Sequence, residues 1–215
     1  LVDLAVAFNE QVLLGRVRAG ELRPGATILL ERMWRDDRDP DIARSYHDAV
    51  SELSGSGYRV LEVPVTVVGC GGIGSFVVLA LAKMGCRALA AYDDDRVEAH
   101  NIPNQAYRLA DVGRLKVDAL ADLVREVAGV PLQGRAERVR EQRLQGIVVA
   151  AVDTMAARRD IWLRGIRHRA AVPLYLDARM GAEVARILTV RPADPDDVRR
   201  YEASCPSSSS GRYPR

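Results

Sequence analysis

The chain has 215 residues, which is enough for one domain with a proper core and a small appendage. It carries 31 basic and 29 acidic side chains, and the resulting net charge of +2 predicts no general attraction to nucleic acid or to a membrane surface. No apolar run is long enough to span a membrane and no positively charged leader opens the chain, so we expect a cytoplasmic protein without a membrane partner.

Residues 1–60 give the least regular pattern, and we expect them to form a small, mostly helical flanking element. Residues 4–17 predict a helix, RPGAT at 23–27 a turn, residues 28–33 a short strand or a turn of helix, and residues 42–53 a second helix that ends in a flexible SGSG. The charged run ERMWRDDRDPD lies between them and is typical of a solvated linker.

A glycine-rich turn follows the β-branched run of residues 65–68, which predicts a buried strand. The turn is a complete G-x-G-x-x-G, and residues 76–84 after it are apolar on nearly every side, as expected of a helix packed against a sheet. Such glycines let the backbone approach a phosphate, and the helix N-terminus offers N–H groups to the anion. The pattern predicts a nucleotide-binding unit with backbone contacts from Gly69, Gly71, Gly72 and Gly74.

Acidic side chains follow the next predicted strand, residues 87–92. Asp93 lies 19 residues beyond Gly74, about the spacing at which a Rossmann unit places a carboxylate on the ribose hydroxyls. After Asp95, residues 97–110 are polar and irregular, and loops at strand ends commonly carry function.

A helix is predicted at residues 114–128, where apolar side chains recur on one face. Asp111 is expected to cap its start, and Gly129 closes its end. Lys116 lies in the first turn, off the apolar face. It is one of only two lysines among the 31 basic residues, which suggests a position where a compact ammonium group is needed.

The remainder of the chain alternates apolar runs typical of buried strands with a helical pattern, and Asp153 stands at the end of one such strand. In order, we predict an edge strand and turn at 135–143, a strand at 147–152, a helix at 154–169, strands at 174–178 and 184–190, and a loop or disordered tail at 192–215.

Strands and helices that alternate in this way predict a Rossmann-like α/β domain over residues 61–191, with a mainly parallel sheet covered by helices on both faces. Ligands in such sheets lie beyond the carboxyl ends of the strands. Three predicted strand ends therefore direct residues 69–74, residues 93–95 and Asp153 towards one crevice.

Five segments resemble the MoeB/ThiF/HesA family, the bacterial relatives of ubiquitin-activating enzymes. In the family's order they are VTVVGCGGIGS, YDDDRVEAHNIPNQ, DVGRLKVDAL, VVAAVDT and VPLYLDARMG. The resemblance implies an ATP-binding adenylation domain of the ThiF type, in which a carboxylate attacks the α-phosphorus of ATP to give an acyl adenylate and pyrophosphate. It also implies a homodimer, and a substrate that is either the C-terminus of a ubiquitin-like or sulfur-carrier protein or a small-molecule carboxylic acid.

The resemblance implies roles for the residues at the predicted crevice. Asp93 would hold the ribose, Lys116 would neutralise phosphate charge, and Asp153 would hold Mg²⁺. Attack of one anion on another requires such cations, together with fixed donors where charge accumulates. The other residues expected at the nucleotide are Asp95, Asn101, Asn104 and Gln105.

The sequence also departs from the family pattern. Asn104 stands where the family has an arginine that contacts phosphate, and Arg108 is the nearest replacement along the chain. Alternatively, Arg32 or Arg35 reaches over from a second subunit. The three cysteines contain no C-x-x-C pair, so no structural zinc is expected, and Cys205 is the one candidate for a thioester-forming cysteine.

Two other functions remain open at this point. A non-catalytic ThiF-like scaffold would explain the missing arginine, although the retention of Lys116 and Asp153 argues against it. An NAD-binding oxidoreductase would explain the glycine turn and Asp93, but it leaves Lys116, Asn101 and Asp153 without a shared purpose.

Overall fold

The computed structural model describes residues 1–181 and 184–205, which form two β-sheets with flanking helices. The strands are β1 (Val2–Ala7), β2 (Leu22–Glu31), β3 (Arg59–Val63), β4 (Val65–Val68), β5 (Leu89–Tyr92), β6 (Leu132–Arg135), β7 (Ile147–Ala150), β8 (Leu174–Met180) and β9 (Ala185–Val190). The helices are α1 (Glu10–Arg18), α2 (Pro40–Gly55), α3 (Gly74–Lys83), α4 (Lys116–Ala128), α5 (Met155–Asp160) and α6 (Pro195–Ala203). Single 3₁₀ turns lie at Met33–Asp36, Ala99–Asn101 and Leu109–Asp111, and α5 continues as π-helical turns over Ile161–Ile166.

The larger sheet has six strands in the order β6-β5-β4-β7-β8-β9. All neighbours are parallel except β9, which runs antiparallel to β8. Successive side chains of a strand point to opposite faces, so Val65 and Val67 pack with α3 and α4, whereas Val68 packs with the π-helical turns and α6. The predicted α/β architecture, a mostly parallel sheet between two helical layers, is confirmed.

The first 63 residues form a second, three-stranded parallel sheet in the order β1-β2-β3. Helices α1 and α2 cover one of its faces. Leu29 and Leu61 on the opposite face join the core beneath α3 and α4, so the two sheets share apolar packing. Among the described residues, no helix is both long enough and apolar enough to cross a membrane.

Several predictions for the N-terminal region were wrong. Residues 4–17 are not one helix, because β1 occupies the first part and Asn9 caps a new helix by accepting the Val12 N–H at 3.0 Å. RPGAT lies inside β2, where the pairing with β1 shifts register. The expectation of a mostly helical element missed this sheet, since its parallel strands are stabilised by partners distant in sequence. The helix expected at 42–53 is confirmed as α2, and the domain boundary at residue 60 stays a prediction.

The charged run at residues 31–41 is partly ordered by contacts with the main domain. Trp34 lies in a 3₁₀ turn, and the Arg87 guanidinium sits 5.2 Å from the centre of its ring. Asp37 is within 3.7 Å of the same arginine. The run is therefore more than a solvated linker.

Two predictions nearer the C-terminus also needed correction. The edge strand expected at 135–143 is β6, which ends at Arg135 and is followed by irregular chain. The expected loop from residue 192 contains α6, because Asp194 caps the helix by accepting two backbone N–H groups and Tyr201 is buried beneath it. Residues 206–215 of the predicted disordered tail lie outside the described residues.

Candidate functional site

Three neighbouring strands end at one level, and the glycine loop (residues 69–74) begins there. Val68, the last residue of β4, pairs with Tyr92 of β5 and with Ala150 of β7. The Gly69 N–H donates to the Tyr92 carbonyl at 2.8 Å, and the Ala151 N–H donates to the Val68 carbonyl at 2.8 Å. The crevice, meaning the space beyond these carboxyl ends, is where the sequence placed the site.

The four glycines of the loop serve two different purposes. Gly69 has φ +92, and a Cβ there would lie 2.9 Å from the Ala151 carbonyl oxygen; a Cβ at Gly74 would lie 1.7 Å from the Gly69 carbonyl oxygen. These two are required by the close approach of backbone. A Cβ at Gly71 would meet nothing within 4 Å, and one at Gly72 would meet only the Asn104 carbonyl oxygen, at 3.4 Å.

The start of α3 carries unused donors beside that open space. Within the described part of the chain, the backbone N–H groups of residues 71–74 donate to no acceptor, and the first N–H of α3 to find a partner is that of Ser75, which donates to the Gly71 carbonyl at 3.0 Å. Unpaired N–H groups at a helix N-terminus, together with the helix dipole, form a site suited to an anion.

Asp93 holds the glycine loop in place. Its Oδ2 accepts the Cys70 N–H at 2.7 Å, and its Oδ1 accepts the Asp95 N–H at 2.9 Å. Each oxygen keeps a second lone pair, so the carboxylate still has acceptor capacity for a ligand hydroxyl. The sequence placed Asp93 at the strand end correctly, and the structure adds a part in shaping the loop.

Lys116 lies in the first turn of α4 with its side chain 9% exposed, and its Nζ donates to Asp95 Oδ2 at 2.9 Å. Burial opposes the charge, but the hydrogen bond to Asp95 and the nearby Asp93 carboxylate outweigh it and raise the pKa of Lys116. The residue therefore remains a cation at the crevice.

Asp111 does not cap α4 as expected. It is buried, and it accepts hydrogen bonds from the Arg108 backbone N–H and from Arg114 Nη1.

The irregular segment after Asp95 packs directly on the glycine loop. The Tyr107 hydroxyl donates to the Cys70 carbonyl at 2.7 Å, and the Ala106 N–H donates to Ser75 Oγ at 3.1 Å. Asn101 is buried, and its Oδ1 accepts the Glu98 N–H at 2.9 Å, so its side chain stabilises the turn. Gln105 has a buried Oε1 that lacks a hydrogen-bond partner among the described residues.

Arg108 is paired with two carboxylates. Its Nε lies 3.2 Å from Asp111 Oδ2, and its Nη1 lies 2.5 Å from Glu126 Oε2. Glu126 lies on α4, and Asp111 lies in the 3₁₀ turn that precedes it. Its assignment as the replacement for the family arginine stays a prediction.

Asp153 follows β7 and is exposed, and it forms no ion pair or hydrogen bond with the residues that the structure describes. Arg138 lies nearby, although sequence reasoning assigned it no role. Its Nε donates to both oxygens of Asp94, at 3.0 and 2.9 Å. The hydrogen bond to Asp94 raises the pKa of Arg138, and the charges of Asp95 and Asp153 add to the effect, so this guanidinium lies within the field of carboxylates from two strand ends.

Of the remaining predicted cations and the cysteines, Cys70 lies in the glycine loop and the others lie outside it. Arg32 and Arg35 flank Trp34 in the N-terminal region, and Arg35 lies near Asp36. Cys70 is fully buried, and burial raises the pKa of its thiol, so it acts as a small packing residue. Cys205 is half-buried, with its Sγ 3.4 Å from Arg179 Nη2.

A comparison with protein families matches the ThiF family model over residues 49–172, more than half of the chain. The chain belongs to the ThiF family. Among curated relatives, the NEDD8-activating enzyme E1 catalytic subunit of Arabidopsis thaliana is 32% identical over 106 residues, which cover 46% of this chain and 23% of that protein. The SAMP-activating enzyme E1 of Haloferax volcanii is 32% identical over 123 residues, which cover 53% of this chain and 46% of that protein. The chain thus spans less than half of the length of these two relatives.

Solved structures support the same fold. The E. coli tRNA N6-threonylcarbamoyladenosine dehydratase, TcdA, superposes with a TM-score of 0.53 at 19% identity, over 69% of this chain and 66% of that one. A complex of E. coli MccB with AMPCPP and a selenomethionine-containing MccA superposes with a TM-score of 0.52 at 16% identity, over 78% of this chain and 55% of that one. At this level of identity the likeness concerns the fold alone.

Proposed function

We propose that this ThiF-family chain carries an adenylation site, at which a substrate carboxylate attacks ATP in the presence of Mg²⁺. The observation that supports this most strongly is the set of unused N–H groups at residues 71–74, beside the open space at Gly71. A phosphate oxygen is the acceptor that such a helix N-terminus suits best. Lys116, kept charged within the crevice, adds the positive charge that a polyphosphate needs.

The residues present fit Mg²⁺ as well as ATP. Mg²⁺ is a hard cation that binds through one or two carboxylates together with phosphate oxygens and water. Asp153 offers an exposed carboxylate with no protein partner among the described residues. When bound there, Mg²⁺ would supply positive charge to the phosphates.

In the proposed reaction, an oxygen of the substrate carboxylate forms a bond to the α-phosphorus, and the bond from that phosphorus to the pyrophosphate oxygen breaks. Repulsion between the two anions is the main obstacle. The N–H groups of the glycine loop and Lys116 reduce it, because they are fixed before the reaction begins. Asp93 has spare lone pairs with which to accept a ribose hydroxyl.

We infer that Arg138 supplies the cation that Asn104 does not. Arg108 is paired with Asp111 and Glu126, whereas the Arg138 guanidinium lies at the crevice beside Asp94. The Arg138 side chain is 68% exposed, so it can turn from Asp94 to a ligand phosphate at little cost. The earlier alternative, Arg32 or Arg35 from a second subunit of a homodimer, remains to be tested by mixing variants.

The substrate class follows from the names of the relatives. NEDD8-activating and SAMP-activating enzymes are named for protein substrates, so we propose first the C-terminus of a ubiquitin-like or sulfur-carrier protein. A small-molecule carboxylic acid is the second candidate, because another relative is named as a tRNA threonylcarbamoyladenosine dehydratase, so the names of the relatives are not confined to protein substrates.

Pyrophosphate exchange into ATP, measured with a panel of carrier proteins and small acids, tests the proposal. Exchange should require both Mg²⁺ and the cognate acid. Asp153→Ala should lower the rate by roughly 100-fold or more, as expected when a group that organises charge is removed. Activity of that variant within a few-fold of wild type would contradict its role.

Two further results would redirect the proposal. If Mg-ATP binds but no acid supports exchange and no arginine substitution alters binding, the chain is better described as a non-catalytic scaffold. If calorimetry shows NAD binding as tightly as Mg-ATP or more tightly, the site is not an adenylation site.

A further inference from the structure

Arg158 connects the predicted metal ligand to the buried interior of the domain. It lies in α5, five residues after Asp153, and its side chain is 3% exposed. One terminal nitrogen, Nη2, donates to the carbonyl oxygen of Val152, the residue immediately before Asp153. The other, Nη1, donates to Asp177 Oδ1.

Asp177 is fixed so that it can serve as an anchor. It lies on β8 opposite Ala150 of β7, and its side chain is fully buried. Besides Arg158, it accepts Arg179 Nε at 2.8 Å and the Tyr201 hydroxyl at 3.0 Å. A carboxylate held from three directions cannot rotate, so the direction of the Arg158 guanidinium is determined too.

The chain around Asp153 has few other constraints. On one side, the Ala151 N–H pairs with Val68. On the other, Thr154 caps α5 by accepting the Ala157 N–H at 3.2 Å. Asp153 itself has no hydrogen bond or ion pair within the described chain, and the Val152 side chain packs against the core around Trp162. The Arg158 bond to the Val152 carbonyl adds a directional contact that orients the intervening peptide.

Net stability alone is a weak explanation for the burial of this cluster. A buried ion pair commonly contributes little net stability, because desolvation opposes the attraction between its members. The fork of an arginine, however, can hold a carboxylate and a carbonyl at once in one fixed geometry, which a lysine cannot do. Groups that orient a metal ligand typically change metal affinity 10- to 100-fold when removed.

We propose that Arg158 is a positioning residue for Asp153: anchored on Asp177, it fixes the Val152 carbonyl and thereby directs the Asp153 carboxylate into the crevice. This inference rests on the proposed function, because it assigns Arg158 a purpose only if Asp153 meets Mg²⁺ and nucleotide. It concerns binding geometry and requires no contact between Arg158 and substrate.

The test compares Arg158→Lys with Arg159→Lys, which changes the exposed neighbour on the same helix. In the absence of ligand, hydrogen exchange should speed up about 10-fold or more in Arg158→Lys only, at the amides of Ala151 and Ala157, whose N–H groups are hydrogen-bonded on either side of Asp153. Calorimetry of ATP binding at varied Mg²⁺ should show an increase of about 10-fold in the Mg²⁺ concentration for half-maximal binding. The double variant Asp153→Ala/Arg158→Lys should show the same Mg²⁺ dependence as Asp153→Ala alone, because both substitutions act on the same metal ligand.

Arg158→Lys would overturn the inference if Mg²⁺ dependence stayed at the wild-type value, or if exchange rose equally throughout the domain. If Arg158→Lys does not fold, Asp177→Asn replaces it in the test, because this substitution keeps the size of the anchoring side chain. Asp177→Asn should give the same local rise in exchange and the same shift in Mg²⁺ dependence. The absence of both effects would overturn the inference. ATP binding by the wild-type protein without any Mg²⁺ dependence would instead contradict the proposed function, while exchange at Ala151 and Ala157 still shows whether Arg158 holds the chain on either side of Asp153.

Discussion

The glycine loop allows a prediction that separates glycines required by the fold from glycines required by a ligand. In Gly74→Ala, the new Cβ would lie 1.7 Å from the Gly69 carbonyl oxygen, whereas real Cβ contacts essentially never fall below 3.0 Å. The backbone would have to open by the difference, 3.0 − 1.7 = 1.3 Å. Gly69 cannot move freely, because its N–H is bonded to Tyr92 at 2.8 Å and its φ of +92 is strained for other residues.

A clash between two backbone segments cannot be relieved by rotating a side chain, so the cost should reach or exceed about 3 kcal/mol, the upper end of ordinary overpacking. For a chain of this size, 1 kcal/mol shifts Tm by about 2–4 °C, so we expect Gly74→Ala to melt roughly 6–12 °C below wild type. Circular dichroism during heating measures this directly.

Gly71→Ala is the matched control, because its Cβ would meet no atom within 4 Å. Its Tm should stay within about 2 °C of wild type, as for other substitutions without a structural partner. ATP affinity should nevertheless fall about 10-fold, since the methyl group would occupy space that the proposal assigns to phosphate. The reasoning is refuted if Gly74→Ala melts with wild type, or if Gly71→Ala is destabilised as much as Gly74→Ala.

Three further outcomes follow from the charges. Hydrogen bonds from Arg191 lower the pKa of Asp197 from 3.8 to about 2. The ionised carboxylate therefore stabilises the fold fully above the unfolded-state pKa, and this stabilisation is lost as the pH falls through the folded-state pKa. In urea titrations, the unfolding free energy of wild type should drop between about pH 5 and pH 2 by on the order of 2 kcal/mol more than that of Asp197→Asn. Lys116→Ala should reduce pyrophosphate exchange by roughly 100-fold, whereas Lys83→Ala, at the far end of α3, should leave it unchanged. In calorimetry, Arg138→Ala should weaken ATP binding about 10-fold, whereas Arg108→Ala should leave it unchanged. If Arg108→Ala weakens binding and Arg138→Ala does not, Arg108 is the residue that contacts the phosphate.

Local pattern was enough to predict the main features of the nucleotide-binding half. The β-branched run, the glycine turn and the apolar helix after it are adjacent in sequence, and each restricts the backbone of the next, so β4 and α3 appear where expected. Asp93 and Asp153 were placed at strand ends for the same reason. The parallel order of the sheet then brings those ends together without any long-range information specific to this chain.

Sequence reasoning was weakest where a segment depends on distant partners. Strand β1 is stabilised by pairing with β2, and α6 by the burial of Tyr201, so their composition alone suggested a helix and a loop. Likewise, the expected edge strand at 135–143 was assigned to the wrong residues, because pairing with β5 selects residues 132–135.

The sequence alone establishes that arginine supplies nearly all of the 31 basic side chains, and only the tertiary structure decides what each arginine contacts. Arg158 and Arg159 are identical neighbours in sequence, but α5 buries the first against Asp177 and leaves the second exposed. Arg108 was the nearest replacement by sequence distance, and the fold pairs it with Glu126, eighteen residues away. Arg138 follows β6, and it reaches the crevice because β6 pairs with β5. Helix α4 separates these two strands in the sequence, so no local pattern predicts their pairing.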